Sequence, residues 1–199
     1  VTVRRLGASS EDGLETLLLR GSNASNVLNA YRGSIGVAVL AGETANFPTM
    51  RIGYQDNRET DVVVRCGTGA SLTTIEKSGG ALTTDANVTT LNQSVNGGET
   101  TIRSGTVATL NIDGGTVIYL STGTITTLTV SGNGVMDFSQ DMRARTVTTC
   151  DLHGEATLLD PYKTVQGNWT NGIDLNETGL GKVTLDLGSN FRITPAAVA

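Results

Sequence analysis

The side chains of this chain that are able to do acid–base chemistry are few. Asp137 and Asp141 stand four positions apart: Asp137 precedes the predicted loop Ser139–Arg145, and Asp141 lies in it. Hydrolysis of a glycosidic bond needs two carboxyl groups about 5–9.5 Å apart, a spacing that two aspartates on one loop are able to reach. The same aspartates are also placed to pair with Arg143 and Arg145 and so to hold the loop. We favour this structural role over catalysis.

Histidine and cysteine add little to this inventory. The single histidine, His153, is predicted at the surface near a turn, and the chain has no Gly-x-Ser-x-Gly motif to supply a nucleophile. Cys66 and Cys150 are far apart in sequence, and we expect Cys150 to be a small buried hydrophobe. Asp151 and Asp160 complete the acidic candidates. One histidine and two distant cysteines do not form a zinc set, so we predict no catalytic, cofactor-binding or metal-binding residue.

Composition excludes further classes of function. The net charge is −5 and the isoelectric point is near 4.8, which argues against nucleic-acid binding because phosphates require an excess of Lys and Arg. No apolar run approaches the roughly 18 residues of a membrane span. No apolar stretch of signal-peptide length follows Arg4-Arg5. We therefore expect a protein that is synthesised in a cytoplasm and has neither a nucleic-acid nor a membrane partner.

The centre of the chain carries an internal repeat. Four copies of one block begin at Val88, Val107, Ile125 and Val147, and Leu72 begins an earlier copy, with successive spacings of 16, 19, 18 and 22 residues. Each block has an apolar residue, a Thr or Ala, a Thr and a second apolar residue, as in Val88-Thr89-Thr90-Leu91. Glycine pairs or Gly-Asn-Gly recur in the same phase, at residues 79–80, 97–98, 114–115 and 132–134. Two markers in phase indicate a structural repeat.

Each period predicts a glycine turn, a short strand, a polar turn and a second strand that starts at the block. Branched Thr, Val and Ile favour strands, whereas Gly and Asn adopt the positive φ of tight corners. The predicted first strands are Ala81–Thr84, Thr100–Arg103, Val117–Leu120 and Val135–Phe138. A β-rich period this short favours a parallel β-helix, whose coils form a core only when they stack. We predict an all-β, single-stranded parallel β-helix with coils of about 18 residues, of either handedness.

The position that follows each block forms a predicted column on the rod, made of Glu76, Asn92, Asn111, Thr129 and Asp151. Two interpretations stand side by side. The two asparagines stack and share amide hydrogen bonds, as in other β-stacks, or the column is a plain exposed polar position. We favour the second.

Three regions are predicted along the chain. Residues 1–65 lack the repeat and are assigned to a β-rich capping and attachment region, residues 66–194 to the β-helix, and residues 195–199 to a tail. The predicted strands outside the repeat are Gly36–Leu40, Met50–Gly53, Asp61–Arg65 and Val183–Leu187, and Leu14–Arg20 is either a helical turn or a strand.

The segments Gly134–Thr148, Asn171–Leu175 and Val183–Gly188, together with the glycine and threonine coils, resemble virion proteins of tailed bacteriophages. The resemblance covers roughly residues 36–194. It implies a capsid decoration or head-spike component, commonly trimeric, with a β-helical body and an N-terminal part seated on the shell. The small number of coils differs from the long β-helices of tailspike depolymerases.

We therefore expect a non-enzymatic virion structural protein, a decoration or cement protein on the outer shell of a tailed phage. The expected partners are the major capsid protein and further copies of the chain in a homotrimer. The expected location is the capsid surface, after synthesis in the host cytoplasm. Two alternatives stay open: a tail-associated or adhesin module that binds surface polysaccharide, and a small polysaccharide-active enzyme built on Asp137 and Asp141.

Overall fold

The chain forms parallel β-strands without a helix in the part that the structure describes. The computed structural model describes residues 2–3, 17–22, 27–53, 62–165, 173–175 and 182–189. The strands are, in chain order, β1 (Thr2–Val3), β2 (Leu17–Leu19), β3 (Gly21–Ser22), β4 (Val27–Ala30), β5 (Gly33–Val37), β6 (Ala45–Ile52), β7 (Val62–Cys66), β8 (Ala70–Lys77), β9 (Ala81–Thr84), β10 (Asn87–Gln93), β11 (Glu99–Ile102), β12 (Val107–Ile112), β13 (Thr116–Tyr119), β14 (Ile125–Val130), β15 (Val135–Asp137), β16 (Val147–Leu152), β17 (Thr157–Leu159), β18 (Ile173–Leu175) and β19 (Thr184–Asp186).

These strands alternate between two sheets as the chain coils. Sheet A has the order β1-β4-β6-β8-β10-β12-β14-β16-β18, with β3 also paired to β6, and sheet B has the order β2-β5-β7-β9-β11-β13-β15-β17-β19. From β4 onward each strand pairs with the strand two positions further along the sequence, whereas β1, β2 and β3 pair with β4, β5 and β6. All the pairs are parallel. The predicted parallel β-helix is confirmed, as a β-solenoid of about seven turns with about 19 residues per turn.

The threonine blocks form the bends of sheet A. In β10 the side chains of Val88, Leu91 and Gln93 are buried, whereas the consecutive residues Thr89 and Thr90 are not. Two successive outward residues break the alternation of a straight strand, so the strand bends at the block. The pairing register skips one position at the same place, because Val88 lies opposite Val107 and Thr90 lies opposite Thr109.

The repeat begins earlier than the sequence analysis predicted. Phe47-Pro48-Thr49-Met50 is a further copy of the block, since Phe47 lies opposite Leu72, Thr49 opposite Thr74 and Met50 opposite Ile75. Pro48 occupies the unpaired bend position, where the missing N–H of proline costs no ladder hydrogen bond. Because of this proline, and because no glycine pair follows the strand, the copy is not recognisable from the sequence alone.

Assignment of residues 1–65 to a region outside the repeat is therefore wrong for the residues that the structure describes there. Strands β2 to β7 lie in the same two sheets as the central coils, and the expected boundary at residues 65 and 66 falls inside β7. Within Leu14–Arg20 the described residues form a strand, β2. Near the C-terminus the predicted alternation yields β19, and the tail at 195–199 lies outside the described residues.

The core is a set of apolar columns between the sheets. Ile75, Leu91, Leu110, Leu128 and Cys150 occupy equivalent inward positions of sheet A, and each is at most 1 % exposed. Residues of sheet B, among them Leu82, Val117, Met136 and Leu158, face them from the other side. Burial of such side chains contributes about 1.5–3 kcal/mol each, so stacking provides the stability that a single coil lacks.

The glycine turns also stack, and the backbone there leaves no room for a side chain. Gly115 has φ +70°, and a Cβ at this position would lie 2.3 Å from the carbonyl oxygen of Gly98 on the preceding coil. Gly98 in turn has φ +66°, and a Cβ at this position would lie 2.4 Å from the carbonyl oxygen of Gly80. Glycine is required at this corner both for the left-handed conformation and for the close approach of successive coils.

The substitution Gly115→Ala separates these two requirements when it is compared with Gly42→Ala. Gly42 has φ +80° but no atom within 4 Å of a Cβ at its position, so its replacement costs only the conformational term, about 1–2 kcal/mol. Gly115→Ala adds the clash with Gly98 and is expected to lower the free energy of unfolding clearly further. Chemical denaturation measures both variants, and equal losses would contradict the close packing of the corners.

Candidate functional site

Asp141 lies in the loop between β15 and β16 and is held by two arginines. Arg143 Nε donates to Asp141 Oδ2 at 2.8 Å, and Arg145 Nη2 lies 3.5 Å from Asp141 Oδ1. Arg143 also donates to the carbonyl oxygen of Leu120 at 2.7 Å, which ties the loop to the coil before it. The predicted pairing of Asp141 with both arginines is thus confirmed.

This environment fixes the protonation state of Asp141. The side-chain hydrogen bond from Arg143, followed by the backbone N–H of the same residue, lowers the pKa of Asp141 to about 2. A glycosidase needs one carboxyl group with a raised pKa that stays protonated until it donates its proton. Asp141 stays ionised near neutral pH and is therefore unsuited to act as that acid.

Asp137 takes different partners from those expected. Its Oδ1 accepts the backbone N–H of Ser139 at 2.7 Å, and its Oδ2 accepts from Gln140 Nε2 at 3.3 Å. The residue is 8 % exposed. Asp137 therefore closes the turn at the end of β15, in the way that aspartates commonly cap turns, and the expected ion pair with an arginine is replaced by this cap.

A buried arginine connects the loop to the next coil. Arg145 is 2 % exposed, and its guanidinium carbon lies 5.4 Å from the centre of the Phe138 ring. The Phe138 ring packs edge to face on Tyr119, with centroids 5.9 Å apart. Arg145 Nη1 also donates to Thr164 Oγ1 at 3.4 Å. Asp160 Oδ1 accepts from that hydroxyl at 2.7 Å, so this candidate carboxylate is likewise part of a structural contact.

The remaining candidates are dispersed along the solenoid. Asp151 faces outward on sheet A between Thr129 and Asp174 of the neighbouring strands. His153 is half-buried at a corner, where its backbone N–H donates to Val130. Burial raises the pKa of each cysteine thiol, Cys66 and Cys150, to about 12, and both are free and buried. Their thiols are therefore unreactive near neutral pH.

The described residues contain neither a cluster of metal ligands nor a membrane-spanning helix. No group of three or more His, Cys, Asp or Glu side chains is arranged to hold a metal ion there. The same residues include no helix long and apolar enough to cross a membrane.

The predicted polar column forms a ladder of specific contacts. Asn111 Nδ2 donates to Asn92 Oδ1 at 2.8 Å, which confirms the amide stacking and not the plain exposed position that we favoured. One coil further toward the N-terminus, Arg51 Nε donates to Glu76 Oε2 at 3.0 Å. The ladder thus joins successive coils through side chains outside the core.

A cleft of about 370 Å³ opens along this ladder. It is lined by residues of three successive coils: Glu76, Lys77, Ser78, Asn92, Gln93, Ser94, Asn111 and Asp113. All of these side chains are polar. The ladder residues are predictable from the sequence, but the cleft is not, because its depth depends on how the corners of successive coils are offset.

Two of the lining residues belong to a polar layer inside the solenoid that the sequence analysis missed. Lys77 and Gln93 are each 1 % exposed, and Lys77 Nζ donates to Gln93 Oε1 at 3.5 Å. The hydroxyl of Thr100 donates to the same oxygen at 2.7 Å. Gln93 Nε2 donates to the carbonyl oxygens of Gly98, at 3.3 Å, and Gly114, at 2.9 Å. The amide thereby joins the glycine corners of two coils.

The signal for this layer is present in the sequence. The residue two positions beyond the last apolar member of each block is buried in all six copies: Ile52, Lys77, Gln93, Ile112, Val130 and Leu152. The alternation of the strand therefore places Lys77 and Gln93 inward. Burial lowers the pKa of the Lys77 ammonium to about 7, although the carboxylate of Glu99 acts in the opposite direction.

Comparison of the chain with protein-family models, with curated proteins and with solved structures finds no match. The assignment of a function accordingly rests on the residues and the fold.

Replacement of Lys77 by methionine is expected to stabilise the protein in a pH-dependent way. The pKa of Lys77 is about 7 in the folded protein, against 10.5 for an unperturbed lysine. Between these two pH values the unfolded chain therefore binds a proton that the folded protein does not. The burial of Lys77 thus lowers the free energy of unfolding by its full amount below about pH 7, and this destabilisation vanishes above about pH 10.5. Lys77→Met is expected to raise the free energy of unfolding by a few kcal/mol, on the order given by the pKa shift, at neutral pH.

Denaturation of the wild type and Lys77→Met between pH 7 and pH 10 measures this difference. A stability gap that narrows steadily as the pH rises is the expected result. A gap that is constant over this range would contradict a buried, proton-binding Lys77.

Proposed function

We propose that this chain is a non-enzymatic structural protein of a tailed-phage virion, a decoration or cement protein that binds the major capsid protein on the outer shell. The proposal starts from the resemblance of the repeat segments to phage virion proteins. The β-solenoid fold is compatible with this role and with others, so the site residues must discriminate between them.

The observation that carries the proposal is the use made of the candidate catalytic carboxylates. Asp141 is ion-paired, Asp137 caps a turn and Asp160 accepts hydrogen bonds from Thr164 and Val165. Each therefore stabilises a turn or loop of the solenoid. An active pair would instead leave one carboxyl group protonated and directed at substrate. This use of acidic residues favours a rigid scaffold over the polysaccharide-active enzyme.

Self-association as a homotrimer is part of the proposal, and the outer face of sheet B supports it. Leu18 and Val63 on this face are 45 % and 47 % exposed, and Ile118, Val135 and Leu159 on the same face are partly exposed. The outer face of sheet A instead carries threonines, asparagines and charged residues. On sheet B these apolar side chains are spread over several coils and alternate with polar ones such as Arg65, Glu99 and Thr101. The larger share of exposed aliphatic side chains than on sheet A makes sheet B the proposed contact between copies.

The proposed trimer is tested by light scattering on the purified chain. We expect a particle of three times the chain mass of 20.7 kDa. The double substitution Val63→Arg, Ile118→Arg introduces charges into the contact and is expected to yield the mass of one chain. The matched control Thr90→Arg, Thr109→Arg places the same charges on sheet A and should leave the trimer intact. A monomeric wild type, or equal effects of the two pairs, would refute the sheet B contact.

Attachment to the capsid is tested with truncated chains. Removal of residues 1–30 would also delete β2 and β4, which belong to the stack. Removal of residues 1–16 takes away only β1 among the described strands and is the cleaner test. We expect this variant to lose binding to shells of the major capsid protein, whereas a variant without residues 190–199 retains it. If the variant without residues 1–16 still occupied all binding sites on the shells, the N-terminal segment would not be the attachment region.

A further inference from the structure

The cleft on sheet A is long in the direction of the solenoid axis. It spans three coils, and its two asparagines, Asn92 and Asn111, are direct partners on adjacent strands, which are about 4.8 Å apart. Its volume of about 370 Å³ lies within the range of small-molecule sites, about 300–1,000 Å³. The cleft therefore offers equivalent polar groups at a regular interval to an extended ligand.

The polar groups of the cleft both donate and accept hydrogen bonds. The bond from Asn111 Nδ2 to Asn92 Oδ1 fixes the orientation of both amides and leaves Asn92 Nδ2 as a donor and Asn111 Oδ1 as an acceptor. Ser78 and Ser94 add hydroxyl groups to the lining, and each hydroxyl is able to donate and accept. A ligand that presents many hydroxyl groups matches this mixture better than one that presents only acceptors.

The charge of the cleft limits the ligand further. Glu76 and Asp113 are both in the lining. Arg51 pairs with Glu76, whereas Asp113 accepts from the neutral hydroxyl of Ser131. Lys77 also lines the cleft, but its side chain is 1 % exposed and its ammonium group donates inward to Gln93 Oε1. The exposed surface of the cleft thus carries one carboxylate, that of Asp113, without an ion-pair partner among its described contacts. Carboxylated or phosphorylated ligands are repelled by this charge, whereas hydroxyl groups and ammonium groups are not.

The lining offers no apolar side chain to the C–H groups of a sugar ring. Val95 directly follows Ser94 and is 61 % exposed, but it is not one of the lining residues. No aromatic side chain lines the cleft, so the binding of one short oligosaccharide is weak, and strong attachment depends on several copies that act together.

We propose that the cleft of Asn92 and Asn111 binds an uncharged or amino-sugar oligosaccharide, with the chain of sugars along the solenoid axis. This site goes beyond the passive role assigned above, and it gives the virion protein a contact with cell-surface or environmental glycans. It requires neither the capsid contact nor the catalytic use of any carboxylate.

The proposal is tested by NMR titration of the isotope-labelled full chain with three probes: a linear glucose tetramer, a glucosamine tetramer and a galacturonic acid tetramer. We expect saturable shifts of amide signals from the cleft with glucose or glucosamine, and at least about tenfold weaker binding of galacturonate. The double variant Asn92→Ala, Asn111→Ala is expected to weaken binding of the positive probe about tenfold. The matched control Thr129→Ala changes the next position of the same ladder, outside the cleft, and should bind like the wild type.

Each other result overturns the proposal. If neither glucose nor glucosamine shifts signals of the cleft, no site for such sugars exists there. Equal or tighter binding of galacturonate refutes the ligand class, and an equal loss in Thr129→Ala refutes the location. Light scattering and capsid binding of the same variants report on the proposed structural role separately, so failure of the sugar site is distinguishable from failure of that role.

Discussion

The parallel, in-register stacking of coils constrains every other feature of this molecule. Each residue of a strand lies directly against the equivalent residue of the coils before and after it, so a position holds a column and not an isolated side chain. Apolar columns such as Leu91, Leu110 and Leu128 form the core. Glycine columns allow the coils to approach at the corners, and the amide pair Asn92 and Asn111 extends the same rule to the surface. The dominance of threonine and glycine in the composition follows from this geometry.

Much of this architecture was predictable because stacked coils require residues of the same type at a regular spacing in the sequence. The spacing of the threonine blocks gave the strands of the central coils, and Ala81–Thr84 was predicted with the bounds that β9 has. The coils before residue 66 were missed, since Pro48 replaces the block's first threonine and no glycine pair follows. Pattern alone also left open whether the asparagines pair, because a side-chain hydrogen bond depends on rotamers. The cleft depends on offsets between corners, which residue types do not encode.

The chemistry-bearing side chains serve this stack in different ways. Asp141 and Arg143 hold the loop between β15 and β16, and Asp137 closes the turn before it. Lys77 and Gln93 form a polar layer inside the core, where Gln93 joins the corners of two coils at a cost in proton-dependent stability. Reactive residue types are thus present but engaged in structural contacts, in keeping with a scaffold. The proposed sugar site lies in the cleft on sheet A, whose lining residues are polar.

The central claim, that this solenoid is a structural component of a phage head, is tested most directly by an electron cryomicroscopy map of the intact particle that carries it. The proposed function predicts density for the solenoid at many symmetry-related positions on the outer shell, in groups of three, with sheet B at the contact between copies. A few copies at the tail, or a particle whose shell lacks this density, would contradict it.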